Sequence, residues 1–183
     1  PMISAANLYN KGIEYSFAGC PIWGTLYLVG RDGATQLHVF GAGTTPDILT
    51  RYYLKEQKKD YKLNYSLGTA TEVAQGLLAG RVEAAVLGEP FVSLVLNRDT
   101  TIHILADLNN PNNSLPGFPQ TAIMIHPDLE DLRSQIDEQI YSSCLLAVEH
   151  PEKVIDILQK QDLFSAGILS PATIERCKIK YFP

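Results

Sequence analysis

Apolar and polar positions along this chain change period several times, and the changes predict strands alternating with helices. Leu37-His38-Val39-Phe40 reads as a strand, and Pro46 to Gln57 as a helix in which Ile48, Leu49, Tyr52 and Tyr53 share a buried stripe. A charged turn, Lys55 to Asp60, follows. Tyr61, Leu63, Tyr65 and Leu67 then alternate with Lys62, Asn64 and Ser66, the period-two pattern of a half-exposed strand. Thr69-x-x-Glu72 forms a capping box before a helix whose apolar face is Val73, Ala74, Leu77 and Leu78, with Gly80 at the stop. The apolar run Val82 to Leu87 suits a strand covered on both faces, as in a parallel sheet.

Gly88-Glu89-Pro90 breaks that run, and a helix begins near Phe91. Ile102 to Ala106 is the next strand. Asp107 to Gln120, rich in Asn and Pro, reads as a surface loop, and Thr121 to Ile125 as a return strand. Pro127 opens one long helix through Ala147-Val148, Pro151 another over Glu152 to Gln161, and Pro171 a third over Ala172 to Cys177. The pattern predicts an α/β fold with an open, mostly parallel sheet flanked by helices. It divides into a first part over 1–30, an α/β lobe over 31–120, and a return strand with C-terminal helices over 121–183.

One junction carries candidate chemistry. Leu37 to Phe40 empties through Gly41-Ala42-Gly43 onto Thr44-Thr45-Pro46-Asp47, with Thr45 expected as N-cap and Pro46 as the first helical residue. Glycines admit a ligand close to the backbone, and the unpaired N–H groups and dipole of a helix start favour negative charge. Ligands of open α/β sheets collect at the carboxyl ends of strands, where Gly43-Thr44-Thr45, Gly68-Thr69 and Gly88-Glu89-Pro90 would meet. Gly41-x-Gly43-x-x-Pro46 lacks the third glycine of a dinucleotide fingerprint, so no nucleotide cofactor is expected.

Composition narrows the classes. The 183 residues carry 45% hydrophobic content, ample for a core, and 15 basic against 20 acidic residues give a formal charge of -5, which argues against nucleic acid as partner. No apolar run approaches the roughly 20 residues that span a bilayer, and Pro1-Met2-Ile3-Ser4 lacks the order of a signal peptide. Cys20, Cys144 and Cys177 form no CxxC pair or zinc knuckle and are expected as small hydrophobes. His38, His103, His126 and His150 show no HExxH spacing, and no GxSxG elbow occurs, so neither a metal nor a catalytic set is expected.

Gly43-Thr44-Thr45-Pro46-Asp47 followed by Thr71 to Phe91, with its run Leu77-Leu78-Ala79-Gly80-Arg81-Val82-Glu83-Ala84-Ala85-Val86-Leu87-Gly88-Glu89-Pro90-Phe91, resembles the solute-binding proteins of ABC transporters. The likeness is to the nitrate, sulfonate, taurine and thiamine-precursor group, with the two-lobed type II periplasmic binding fold. It extends to Ala5 to Gly12 and to the hinge-like Trp23 to Val29. The resemblance implies a small anionic or polar nutrient as ligand, ABC permease subunits as partners and an extracytoplasmic location. Any membrane attachment would come from an N-terminal anchor outside this chain. It also implies a later portion of a longer protein, with a shorter link than usual between Gly33 and Gln36.

On that reading Gly43, Thr44 and Thr45 hold a head group, Trp23 offers a flat wall or an indole donor, and Glu89 accepts from a cationic or hydroxyl-bearing part of the ligand. Thr69 comes last, since its capping box already employs it. Packing alone would also explain Trp23, and capping of the Phe91 helix would explain Glu89. Thiamine-pyrimidine synthases resemble this architecture but carry a cysteine-rich cluster absent here. The sequence also leaves open a nucleotide-dependent enzyme and a ligand-sensing domain.

Overall fold

A computed structural model describes residues 2–110, 117–164 and 167–182. They fall into two compact units, one of residues 2–24, 117–164 and 170–182, the other of residues 25–110 and 167–169. The chain passes between the units after Gly24 and before Gly117.

The first unit holds helix α1 (Met2–Asn10) and strand β1 (Ser16–Gly19). The second is built on β2 (Tyr27–Gly30), β3 (Gln36–His38), α2 (Thr45–Glu56), β4 (Lys62–Asn64), α3 (Ala70–Leu78), β5 (Ala84–Leu87), α4 (Phe91–Arg98) and β6 (His103–Asp107). The chain then returns to the first unit with β7 (Ile123–Ile125), a 3-10 turn over Pro127–Leu132, α5 (Arg133–Glu149), α6 (Pro151–Lys160) and α7 (Pro171–Arg176).

In the second unit the strand order is β4-β3-β5-β2-β6. β4, β3 and β5 pair parallel, while β2 runs antiparallel to both β5 and β6, so four of the five strands point one way. The carboxyl ends of those four consequently share one edge of the sheet. Val73, Ala74 and Leu77 of α3 and Val92 and Val95 of α4 close over Tyr27, Val29, Ala85 and Leu87. Each fully buried Val or Leu contributes about 1.5–3 kcal/mol by leaving water. The capping box of α3 forms as expected: Thr69 Oγ1 accepts the Glu72 N–H at 3.2 Å and Glu72 Oε2 accepts the Thr69 N–H at 3.0 Å.

In the first unit β1 and β7 pair antiparallel, Ser16 opposite Ile125. Tyr181 locks this pair to α5, donating from its hydroxyl to Asp137 at 2.5 Å and to the Ala18 carbonyl at 3.2 Å. Its ring lies where a side chain at Gly19 would sit, 2.6 Å from such a Cβ. Burial, then the hydrogen bond to Asp137, pushes the Tyr181 phenol up to about 12.

Four expectations need correction. The stripe of α2 is rotated, with Ile48 and Tyr52 exposed (51% and 41%) and Asp47, Leu49, Thr50 and Leu54 turned inward. Polar residues can face in there because Thr50 Oγ1 donates to the Pro46 carbonyl at 2.6 Å and Asp47 is fully hydrogen-bonded. The helix expected from Pro127 splits, because the Pro127–Leu132 turn buries no side chain that would hold an α-helical path. Leu108 and Asn109 in the expected surface loop are buried, while residues 111–116 of that loop lie outside the described set. Tyr27 to Val29 of the hinge-like run are core residues of β2, fully paired on both sides.

Candidate functional site

Because β3, β4, β5 and β6 point the same way, the turns Gly41–Thr45, Ser66–Thr69, Gly88–Pro90 and Leu108–Asn110 leave the same edge of the sheet, and Thr25 enters β2 there. Gly43, Thr44, Thr45, Thr69 and Glu89 are thereby brought to one edge. Trp23 belongs to the other unit.

The Gly41–Thr45 turn is held from within. Thr44, and not Thr45, is the N-cap residue of α2, yet its side chain makes no cap bond. Its hydroxyl donates back to the Gly41 carbonyl, and its N–H reaches the same carbonyl at 3.0 Å. Thr45 becomes the first helical residue and Pro46 the second. Gly43 has φ +75°, a left-handed conformation in which any other L residue is strained.

Asp47 closes the arrangement. Its Oδ2 accepts the Gly43 N–H at 2.8 Å, and its Oδ1 accepts from Arg51 Nε at 2.7 Å and from the Tyr65 hydroxyl at 2.6 Å. Arg51 in turn donates to the Tyr65 oxygen at 2.7 Å and lies 5.8 Å from the centre of that ring. Burial alone would raise the Asp47 pKa; the hydrogen bonds from Tyr65, Gly43 and Arg51 outweigh it, and the carboxyl sits below its ordinary range. The Gly43 N–H is therefore spent internally. The donors left at this turn are those of Thr45 and the first helical N–H groups, which have no intrahelical acceptor.

Glu89 serves as the helix-capping acid, its Oε2 accepting the Ser93 N–H at 3.1 Å, while its own N–H donates to the Thr25 carbonyl at 3.2 Å. Thr69 is committed to its capping box. The indole N–H of Trp23 donates to the carbonyls of Cys20 at 2.9 Å and Lys180 at 2.7 Å, and the ring meets Phe182 edge-on at 6.2 Å. What Trp23 can offer a ligand is a ring face and not a donor.

Asn109 escaped sequence reasoning. Its Oδ1 accepts the N–H groups of Thr25 and Leu26, both at 3.1 Å, and its Nδ2 donates to the Leu26 carbonyl at 2.9 Å and to Asp107 at 2.7 Å. It splices the start of β2 to the end of β6. An Asn-rich loop gives no hint of which Asn turns inward. Asp47 did leave a signal, since Thr44-x-x-Asp47 is a capping-box spacing and Asp47 to Arg51 an i,i+4 pair.

Among the described residues no group of three or more His, Cys, Asp or Glu side chains could hold a metal ion, and no helix is long and apolar enough to cross a membrane.

Comparison with known proteins identifies the architecture. No protein-family model and no curated protein matches the sequence. Among solved structures, an ABC transporter protein from Parabacteroides distasonis is 52% identical, with all of this chain aligned to 66% of that one at a TM-score of 0.96. The periplasmic aliphatic sulphonate binding protein SsuA from Escherichia coli is 15% identical over 96% of this chain and 64% of its own, at a TM-score of 0.69. The alkanesulfonate-binding protein SsuA from Xanthomonas axonopodis pv. citri, solved with MOPS, is 18% identical over 90% of this chain and 58% of its own, at a TM-score of 0.57. The chain thus spans somewhat less than two thirds of each of these structures. With its mixed five-stranded sheet and a 52% identical relative aligned along its whole length, the chain has the type II periplasmic-binding-protein fold and is similar to an ABC transporter protein.

Proposed function

We propose that this chain is the larger part of an extracytoplasmic solute-binding component of an ABC importer, which captures a small anionic or polar nutrient between two lobes and delivers it unchanged to permease subunits. The observation that carries this reading is the gathering of the turns after β3, β4, β5 and β6 on one sheet edge, with the start of α2 among them. Thr45 and the first-turn N–H groups of α2 supply donors to a head group there. Thr44, whose proton is held by Gly41, supplies an acceptor, and Glu89 adds a carboxylate. That combination suits a ligand with an anionic head and a polar or cationic tail, and the sulphonate ligands named for two fold relatives support including such compounds in a screen.

A thermal-shift panel of nitrate, ethanesulfonate, taurine and a thiamine-pyrimidine precursor on the intact protein tests it. A ligand bound only by the folded state raises apparent stability as its concentration rises above Kd. The reading expects one of these to do so and the shift to shrink in Thr45→Val; a flat response to the whole panel contradicts it.

A further inference from the structure

The start of α2 already holds an anion of its own. Asp47, in the first helical turn, is buried, and its Oδ2 lies 2.8 Å from the Gly43 nitrogen. Burial would raise its pKa, but the hydrogen bonds from Tyr65, Gly43 and Arg51 outweigh burial, so the carboxyl is ionised near neutral pH. A helix dipole amounts to only about half a positive charge at the N-terminus. The full negative charge of Asp47 therefore more than offsets the attraction that α2 would exert on a solute anion.

The rest of the edge adds to this. None of the turns Gly41–Thr45, Ser66–Thr69, Gly88–Pro90 and Leu108–Asn110 contains a Lys or Arg. Glu72, Glu89 and Asp107 stand in or beside them, accepting the N–H groups of Gly68 and Thr69, of Ser93, and of Asn109. Arg51 changes the balance. One turn further along α2, it donates from Nε to Asp47 Oδ1 and from Nη2 to the Tyr65 hydroxyl, both at 2.7 Å, with its guanidinium carbon 5.8 Å from the Tyr65 ring centre. These contacts hold the cation beside the carboxylate instead of leaving it to swing in water.

We propose that Arg51, without touching the solute, sets the charge that the solute site prefers: by neutralising Asp47 it restores the positive potential at the start of α2, and with it the preference for an anionic head group. This role rests on the solute-binding reading above. The Arg51 side chain is more than half exposed, so solvent screens it and the effect is modest, about threefold.

Thr45→Cys places a thiol on the first helical residue, and its thiolate is an anion whose stability reads the potential there with no solute present. The pH midpoint of its alkylation by iodoacetamide is followed by mass spectrometry of its own peptide, apart from Cys20, Cys144 and Cys177. That midpoint is expected below the ordinary thiol value of about 8.5. Adding Arg51→Gln is expected to move it up, leaving about threefold less thiolate at neutral pH. Arg51→Lys keeps the charge without the two-pronged hydrogen bonding and is expected to leave the midpoint near its starting value. A merely structural role would make R51K resemble R51Q. An unmoved midpoint in R51Q, or equal midpoints in R51Q and R51K, would overturn the proposal. Because no solute enters, an unmoved midpoint counts against this role of Arg51, and a flat thermal-shift panel against solute binding itself.

Discussion

Asp47 Oδ2 accepts the N–H of Gly43 at 2.8 Å, tying the first turn of α2 back to the glycine turn that leads into it. The turn's shape therefore depends on a buried carboxylate four residues downstream and on the Arg51 and Tyr65 groups that hold it. Asp47→Ala should cost about 1–3 kcal/mol, the penalty for leaving buried partners unmet. It should also weaken solute binding without removing any ligand contact. Chemical denaturation and calorimetry on the same variant check both; unchanged stability would mean the network adds nothing to the turn.

Gly43→Ala isolates the backbone requirement. Apart from its own chain neighbours, no heavy atom lies within 4 Å of the position a Cβ would take, so the cost comes from φ +75°. About 1–2 kcal/mol is expected. A loss well beyond that in an unfolding curve would indicate a contact other than conformational strain.

The two threonines should separate. Thr45→Val is expected to reduce solute affinity by the worth of one hydrogen bond to a charged group, about 1.5–3 kcal/mol, while leaving stability nearly unchanged. Thr44→Val should lower stability, since its hydroxyl closes the turn on Gly41. Calorimetry paired with thermal unfolding decides; equal effects of both changes on both quantities would contradict this division.

Asn109→Ala should be among the more damaging changes in the second unit. It strips acceptors from the N–H groups of Thr25 and Leu26 and a donor from the Leu26 carbonyl at a site only 1% exposed. A loss of about 2–3 kcal/mol is expected. Hydrogen exchange should report faster opening at β2 and β6; protection equal to the parent there would refute the splice.

Acid should act through His38. Its pKa is lowered in the folded state, so the unfolded chain binds a proton first as pH falls below 6.5. The stability it contributes is complete above 6.5 and is lost as pH falls through the lowered value. Thermal midpoints of the parent and His38→Gln should converge on acidification across that window, and parallel curves would exclude this titration as a cause.

Much of the fold was legible because local signals agreed with global ones. Thr69-x-x-Glu72, Gly80 and the apolar run to Leu87 specified a cap, a stop and a buried strand, and each lies where the pattern put it. The antiparallel insertion of β2 was not legible, since Tyr27 to Val29 read the same in either direction and pairing is set by distant strands. The inward turn of Asp47 and Thr50 was hidden for a different reason. Hydrophobic periodicity assigns polar residues to water, and only the tertiary partner Tyr65, together with the Pro46 carbonyl, reverses that here. The candidate threonines were legible as a helix start, but the internal use of the Gly43 N–H and the Trp23 indole N–H was not.

The claim that this protein holds a solute and does not transform it is tested most directly by mass balance. The intact protein is equilibrated with whichever compound raises its melting temperature, binding is measured by calorimetry, and the compound is recovered by denaturation and weighed by mass spectrometry. The account predicts saturable binding of one molecule per chain and quantitative recovery at unchanged mass. A new mass in the recovered compound, or loss of a fragment from the protein into it, would contradict the account.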